Sequence, residues 1–381
     1  MEQARHARIL PAPSRRVADR ASRLARRVGA PVSGWSMAST CVISQRGHSG
    51  CSQSRMASLQ GDLRVGISGW RYEPWRSVFY PAGLPQQREL AFASRMLPTI
   101  EINGSFYSLQ RPESYLAWHD DTPDDFVFAI KGPRYITHML RLKEFEQPLA
   151  NFFASGPLAL GRKLGPILWQ FPPHLPYQPD RFSAFFAALP QDTADGIALA
   201  KRRDRRLEGR SWLRVDQHRA IRHAVEIRHP TFIDAEFIDL LREYGIALVV
   251  ADTAGRWPLM EDLTADFVYL RLHGDEELYA SGYGDAALDR WAHRIDVWSR
   301  GAQVADAQRV SPRDLPRRGG RDVYCYFDND VKVHAPYDAA RLAQRLGVPT
   351  GLGVDRQFVP PPGLEGPRTK ANAFPGRQRG G

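Results

Sequence analysis

Read for its hydrophobic and polar positions, the chain repeats one phrase from residue 63 onward. A short run of β-branched and aromatic residues leads into a polar or aromatic loop and then into a stretch of helical period. The runs fall at 64–68, 99–103, 126–131, 166–171, 223–228, 247–252, 267–273 and 322–328. Helical patterns fall at 85–96, 112–121, 145–162, 179–189, 233–244, 285–299 and 335–346. Between the sixth and seventh runs only 258–263 remains, room for one or two turns. Several helical patterns open near a proline, whose missing N–H costs nothing in a first turn, and Gly245 and Gly347 close two others. Strands alternating with helices require parallel strands. Eight such units across 63–346 predict a single (β/α)8 TIM barrel of the α/β class. The alternative is a doubly wound open sheet, which calls for a glycine-rich phosphate loop after the first strand. Here that loop reads Gly69-Trp70-Arg71-Tyr72, with no GxGxxG.

The C-terminal ends of the runs carry the chemistry. They read Ser68-Gly69-Trp70, Glu101-Ile102-Asn103, Lys131, Gln170, Glu226-Ile227-Arg228-His229, Asp252, Arg271-Leu272-His273 and Asp328-Asn329-Asp330. The N-terminal ends carry no matching set. Barrels of this kind build their sites at the C-terminal face. Strand alternation puts Glu226 with Arg228, Arg271 with His273, Glu101 with Asn103 and Asp328 with Asp330 on shared faces.

Composition changes the picture at the two ends. The 381 residues carry a net charge of +10. Residues 1–58 hold ten arginines and no lysine against Glu2 and Asp19, for +8, and 359–381 add +3, leaving −1 for everything between. A basic folded face, the usual mark of a nucleic-acid binder, is therefore missing, apart from one run at 201–219. Residues 1–58 read as a disordered basic extension, 59–350 as the barrel and 351–381 as a Pro/Gly-rich tail. The 32–43 stretch is broken by Ser33, Gly34, Ser36, Ser39 and Thr40, against a secretory signal. The first 58 residues also have a transit-peptide composition, but a start at Met37 or Met56 is the preferred reading. No apolar run of 18 residues exists, against a membrane span. Cys41, Cys51 and Cys325 show no CxxC spacing, so a reducing cytoplasm is the expected compartment.

The strand-end motifs resemble a known family. Ser68-Gly69-Trp70 with Trp75, Phe79-Tyr80-Pro81 and Glu101-Ile102-Asn103-Gly104-Ser105-Phe106-Tyr107 are similar to the YecE-like family, domain-of-unknown-function family 72. Lys131 with Arg134 and Ile136-Thr137-His138, Gln170-Phe171-Pro172-Pro173, Glu226-Ile227-Arg228-His229-Pro230, Asp252, Tyr269-Leu270-Arg271-Leu272-His273-Gly274 and Tyr279 to Tyr283 continue the resemblance over 63–346. It implies a TIM barrel and no assigned reaction. Asp328-Asn329-Asp330-Val331-Lys332-Val333-His334 departs from the Asn-Asn-Asp-like stretch of many relatives. Residues 201–220 and 300–321 read as loop insertions.

The candidate catalytic residues are Glu101, Glu226, Asp252, His273 and Asp328, with Asp330 as a further acid. Carboxylates whose environments separate their pKa values can divide acid and base roles. The structural reading of the same residues is a plug of ion pairs, Glu226–Arg228 or Glu101–Arg271, filling the barrel mouth. The candidate substrate-binding residues are Trp70, Asn103, Tyr107, Lys131, Gln170, Arg228, Arg271 and Tyr279, with Lys131, Arg228 and Arg271 holding an anion and the aromatics roofing it. No cofactor is assured. A divalent metal is the open one, with His138, His229, His273 and His334 as its nitrogens, but no local ligand cluster supports it and Arg228 and Arg271 neutralise the acids. The expected function is a hydrolase or isomerase acting on a polar carbohydrate-like or phosphorylated substrate at the C-terminal barrel face. The alternatives are a metal-dependent phosphoesterase or nucleic-acid-processing enzyme, and a non-catalytic binding barrel.

Overall fold

The structure, a computed structural model, describes residues 60–313 and 319–352. The extension at 1–58 and nearly all of the tail at 351–381 lie outside the described residues. Eight strands, β1 (Leu63–Ser68), β2 (Thr99–Ile102), β3 (Val127–Lys131), β4 (Leu164–Gln170), β5 (His223–Glu226), β6 (Ala247–Asp252), β7 (Phe267–Leu272) and β8 (Asp322–Phe327), close into a barrel in chain order. Every neighbouring pair is parallel, and β1 closes on β8. The expected α/β barrel is the observed fold.

Alternation sorts each strand into two faces. Val65, Ile67, Ile100, Ile130, Val250 and Leu270 point outward into the main core beneath the helices. Ala129, Leu168, Ala224, Val249, Tyr269 and Tyr326 form a separate cluster that fills the barrel. On β1 the inward position below Ser68 is Gly66. A Cβ there would stand 1.9 Å from the Thr99 carbonyl oxygen, so only glycine lets β1 and β2 approach.

The helices of eight or more residues are α1 (Glu89–Met96), α2 (Pro112–Asp121), α3 (Glu146–Ala154), α4 (Pro179–Ala188), α5 (Thr193–Ala200), α6 (Ala235–Tyr244), α7 (Asp285–Ser299) and α8 (His334–Arg345). Pro112 and Pro179 sit in the first turns of α2 and α4, and Gly245 ends α6 at φ 63°. Two expected helices are shorter than their patterns. The 85–96 pattern begins with a 3-10 turn at Gln86–Arg88, and the 145–162 pattern breaks at Gly156, φ 126°, before a 3-10 stretch at Pro157–Lys163. Helix α5 has no counterpart among the expected elements.

The β6–β7 connection forms no helical turn. Its polar groups are satisfied by another route. Gln303 donates to the Glu261 carbonyl at 2.7 Å, Glu261 accepts from the Gln308 N–H at 2.8 Å, and Asp262 accepts from the N–H groups of Val310 and Ser311 at 2.8 and 3.0 Å. The 303–311 segment thus takes the place of a helix, and the loop after β6 is left to serve the barrel mouth.

Candidate active site

The innermost side chains at the C-terminal barrel end are a single network. Arg271 is its hub, with 0% exposure. Its Nε and Nη2 grip Glu101 at 3.1 and 2.9 Å, Nη1 donates to Glu226 at 2.7 Å, and Nη2 also donates to Asp328 at 2.9 Å and Ser68 Oγ at 3.1 Å. Tyr269 donates to Glu101 at 2.6 Å, as does Ser68. Glu226 further accepts from Gln170 at 2.8 Å and from Arg228 at 2.8–2.9 Å. Both ion pairs offered by the structural reading, Glu226–Arg228 and Glu101–Arg271, are present. Asn103 reaches this layer through Ser68 Oγ at 3.0 Å.

The electrostatics follow from this pairing. Burial alone would raise the Glu226 carboxyl, but Arg228 and Arg271 hold it well below the usual range. Burial raises Asp328 too, and Arg271 and His273 outweigh it, so it also stays ionised. Burial and the adjacent Arg271 lower His273, which stays neutral. Arg271 Nη1 stands 3.4 Å from His273 Nε2, which must accept, so the ring proton sits on Nδ1, 3.0 Å from Asp328.

Above this floor are two walls. On one, Arg228 lies over the Trp257 ring at 3.8 Å and donates to the Tyr279 hydroxyl at 3.3 Å, while Tyr279 meets His273 edge-on at 5.2 Å. Tyr279 holds a left-handed φ of 64°, a strained state for a non-glycine residue next to a candidate site. On the other wall, Phe106 meets Tyr107 and His138 edge-on, both at 5.1 Å. Burial, then Arg228 and Lys131, lower His138 to about 4, so it is neutral near pH 7. Tyr107 is 51% exposed, with Arg134 over its ring at 5.9 Å.

Lys131 stands apart from every other charge here. It continues the inward face of Val127 and Ala129 and is 7% exposed. Among the described residues its ammonium makes no hydrogen bond and no ion pair; it meets only the face of Phe106, at 4.6 Å. Burial first, and Arg271 second, lower it to about 8.

Most of the expected site residues come together, with three corrections. Asp252 is out of phase. Val249 and Ala251 take the inward positions of β6, so Asp252 turns outward, where it accepts from Tyr283 at 3.1 Å and Trp291 at 3.2 Å. Trp70 is no roof: it is buried against Trp118 of α2 at 5.5 Å. Arg271 is no anion clamp, because its donors are consumed by carboxylates. Sequence reasoning missed Trp257, gave Tyr269 only within a family motif, and gave His138 within a motif and as a metal nitrogen. The signal for Trp257 was an aromatic in a connection too short for a helix.

Among the described residues no three His, Cys, Asp or Glu side chains converge as a metal-ligand set, and no helix is long and apolar enough to cross a membrane. The basic run at 201–219 is partly folded on itself, with Arg206 on Asp204 at 2.7 Å and Arg219 on Asp216 at 2.6 Å.

Comparison with known proteins agrees with this architecture. The UPF0759 protein YecE of Escherichia coli K12 is 29% identical over 128 residues, 30% of this chain and 44% of YecE. The UPF0759 protein YunF of Bacillus subtilis is 29% identical over 116 residues, 29% of this chain and 40% of YunF. The matched stretch thus spans less than half the length of either relative. A crystal structure of a DUF72 family protein from Thermotoga maritima superposes with a TM-score of 0.55 at 23% identity, covering 75% of this chain and 99% of that one. A DUF72 family protein from Enterococcus faecalis gives 0.52 at 14%, covering 78% and 99%. At these identities the two structures speak for the fold. Residues 64–361 match the family described as protein of unknown function DUF72, and the chain belongs to that family.

Proposed function

We propose that the barrel mouth is the active site of an enzyme, an isomerase or hydrolase, for a small carbohydrate-like or phosphorylated molecule. The observation that carries this reading is Lys131. The side chain is largely buried and its ammonium has no protein partner among the described residues, so only the solvent it still reaches at the mouth satisfies it. An incoming oxygen, from a phosphate, a carboxylate or a carbonyl, supplies the missing partner. Tyr107, 51% exposed, and Tyr279 stand where ring faces can meet the apolar side of a sugar, and Arg228, stacked on Trp257, keeps 12% of its side chain exposed beside them.

Roles then divide by electrostatics. Glu226 and Asp328, held ionised by their cations, are weak proton acceptors. With Glu101 they fix Arg271 and set a rigid, charged floor. Lys131 and the neutral His138 are better matched to proton transfer near pH 7, since a useful acid or base titrates near the working pH or is already in the required form. The metal-dependent reading is disfavoured by the donor set, because Glu101, Glu226 and Asp328 already share Arg271.

The test is a thermal-shift titration of the full chain with ribose 5-phosphate, glycerol 3-phosphate and gluconate. Binding of at least one is expected, adding about 2.7 kcal/mol at one hundred times Kd. Lys131→Met should abolish that gain while keeping the fold. No response to any of the three by the wild-type chain would overturn the reading.

A further inference from the structure

We infer that Lys131 is a covalent group, one that condenses with the carbonyl carbon of its substrate to form an imine. This rests on the reading of the mouth as a substrate site and narrows it to carbonyl chemistry of the isomerase kind.

Four observations carry it. The first is the choice of residue. The chain has 46 arginines and only six lysines, Lys131, Lys143, Lys163, Lys201, Lys332 and Lys370. Every permanent positive charge in the barrel-mouth floor is carried by arginine, and the one lysine forms no ion pair with a carboxylate among the described residues. Arginine stays charged in proteins, whereas a buried lysine readily gives up its proton. The second is geometry. Nζ belongs to the inward face of β3, makes no hydrogen bond or ion pair among the described residues, and rests on the Phe106 ring at 4.6 Å. An ammonium hydrogen-bonded by the protein would have to give up its acceptors before attacking; this one has no protein acceptor to give up. The third is the surroundings. Arg271 from β7 opposes the charge on Nζ, while Glu101 from β2, Asp328 just after β8 and Glu226 from β5 support it, and His138 in the loop after β3 is neutral and adds no charge. Burial dominates, and a neutral amine is available at mildly alkaline pH. The fourth is the fate of charge. A protonated imine is again a cation over an aromatic face, which Phe106 stabilises.

The step balances without a further reactant. The Nζ lone pair forms a C–N bond as the carbonyl π pair moves to oxygen. One Nζ proton passes to that oxygen and gives a carbinolamine. The second follows as the C–O bond breaks, the oxygen leaves as water, and the imine nitrogen takes one proton from solvent to become the cation. No oxidant or reductant is consumed.

Borohydride reduction tests this directly. The full chain is incubated with dihydroxyacetone phosphate, reduced, digested and mapped by mass spectrometry. Glycerol 3-phosphate, which lacks the carbonyl, serves as the non-covalent control in a thermal-shift titration. The expected result is one reduced adduct on the peptide carrying Lys131, absent from Lys131→Arg. Its yield should rise about tenfold from about pH 7 to about pH 9, as the neutral fraction of a group titrating at about 8 does. Binding of glycerol 3-phosphate without any adduct on Lys131 would overturn the imine and leave the site standing. Labelling spread over Lys143, Lys201 and Lys332 to the same extent would overturn it too. If neither compound binds and no adduct forms, the reading of the mouth as a site for such molecules falls with it.

Discussion

Two lysines are buried in this barrel, and they live in opposite worlds. Lys163 precedes β4 at the N-terminal end of the barrel. Its ammonium donates to the carbonyls of His119 and Thr122 at 2.5 and 2.8 Å and to Thr122 Oγ1 at 3.2 Å. These acceptors close the C-terminal end of α2, where exposed carbonyls and the helix dipole favour a cation. Every proton of Lys163 has a place. Lys131, at the other end of the barrel, has only a ring face beneath it. The same residue type, similarly buried, is satisfied where the barrel needs stability and unsatisfied where strand ends converge. That contrast matches the division of labour in this fold, where one end holds and the other acts.

The floor beneath Lys131 belongs with the stable end in one respect, since every charge in it is paired. Arg271→Met removes the one cation shared by Glu101, Glu226 and Asp328. We expect the largest loss of any single change here, about 3–5 kcal/mol by urea unfolding, because two buried carboxylates, Glu101 and Glu226, and the half-buried Asp328 lose their shared cation together. Glu226→Gln should cost less, since Gln170 and Arg228 still reach the new side chain. A stable Arg271→Met with intact ligand response would mean that the network is neither a frame nor a site.

The lysine contrast is broken or sharpened by a matched pair of methionines. Lys163→Met leaves the α2 carbonyls without their donor and should cost about 1–3 kcal/mol. Lys131→Met removes a charge whose burial and repulsion by Arg271 outweigh the nearby carboxylates, and its unfolding free energy should equal or exceed that of the wild type. Equal losses in the two variants would show that Lys131 has a structural role after all.

A smaller effect is a signature in pH. Lys131 titrates at about 8 in the folded chain against 10.5 ordinarily. Between those values the unfolded chain binds the extra proton, so wild-type stability should climb with pH across that window through this group. Below about 8 both states are protonated and the burial cost is constant. Subtracting the Lys131→Met curve isolates the term from tyrosines that titrate nearby; a flat difference would show that burial does not weaken the amine.

The fold was legible because each strand ends in a polar residue and each helix keeps its period, both local properties. Much of the floor was legible too, since alternation paired Glu226 with Arg228 and Arg271 with His273 before any contact was known. What could not be read were facts that exist only after closure. Arg271 touches partners on β1, β2 and β5 and just after β8, and no spacing within β7 announces that. The lack of a partner on Lys131 is likewise a property of three dimensions. Trp257 lay hidden because it belongs to a connection with no periodic pattern.

Asp252 is the instructive miss, because alternation could have caught it. Val249 and Ala251 occupy the inward positions of β6, so an aspartate directly after Ala251 has to face the helices. Its burial raises its carboxyl, even though Tyr283 and Trp291 donate to it. Asp252→Asn keeps an acceptor for both donors but loses the charge that strengthens those bonds. The expected cost is the smallest of the set, about 1 kcal/mol by urea unfolding, on the scale of one weakened hydrogen bond. Ligand response and borohydride labelling at Lys131 should be untouched, because the carboxylate is directed to α7 rather than to the mouth. A variant that unfolds normally but loses either response would return Asp252 to the active site and show that the outward face of β6 also reaches the substrate.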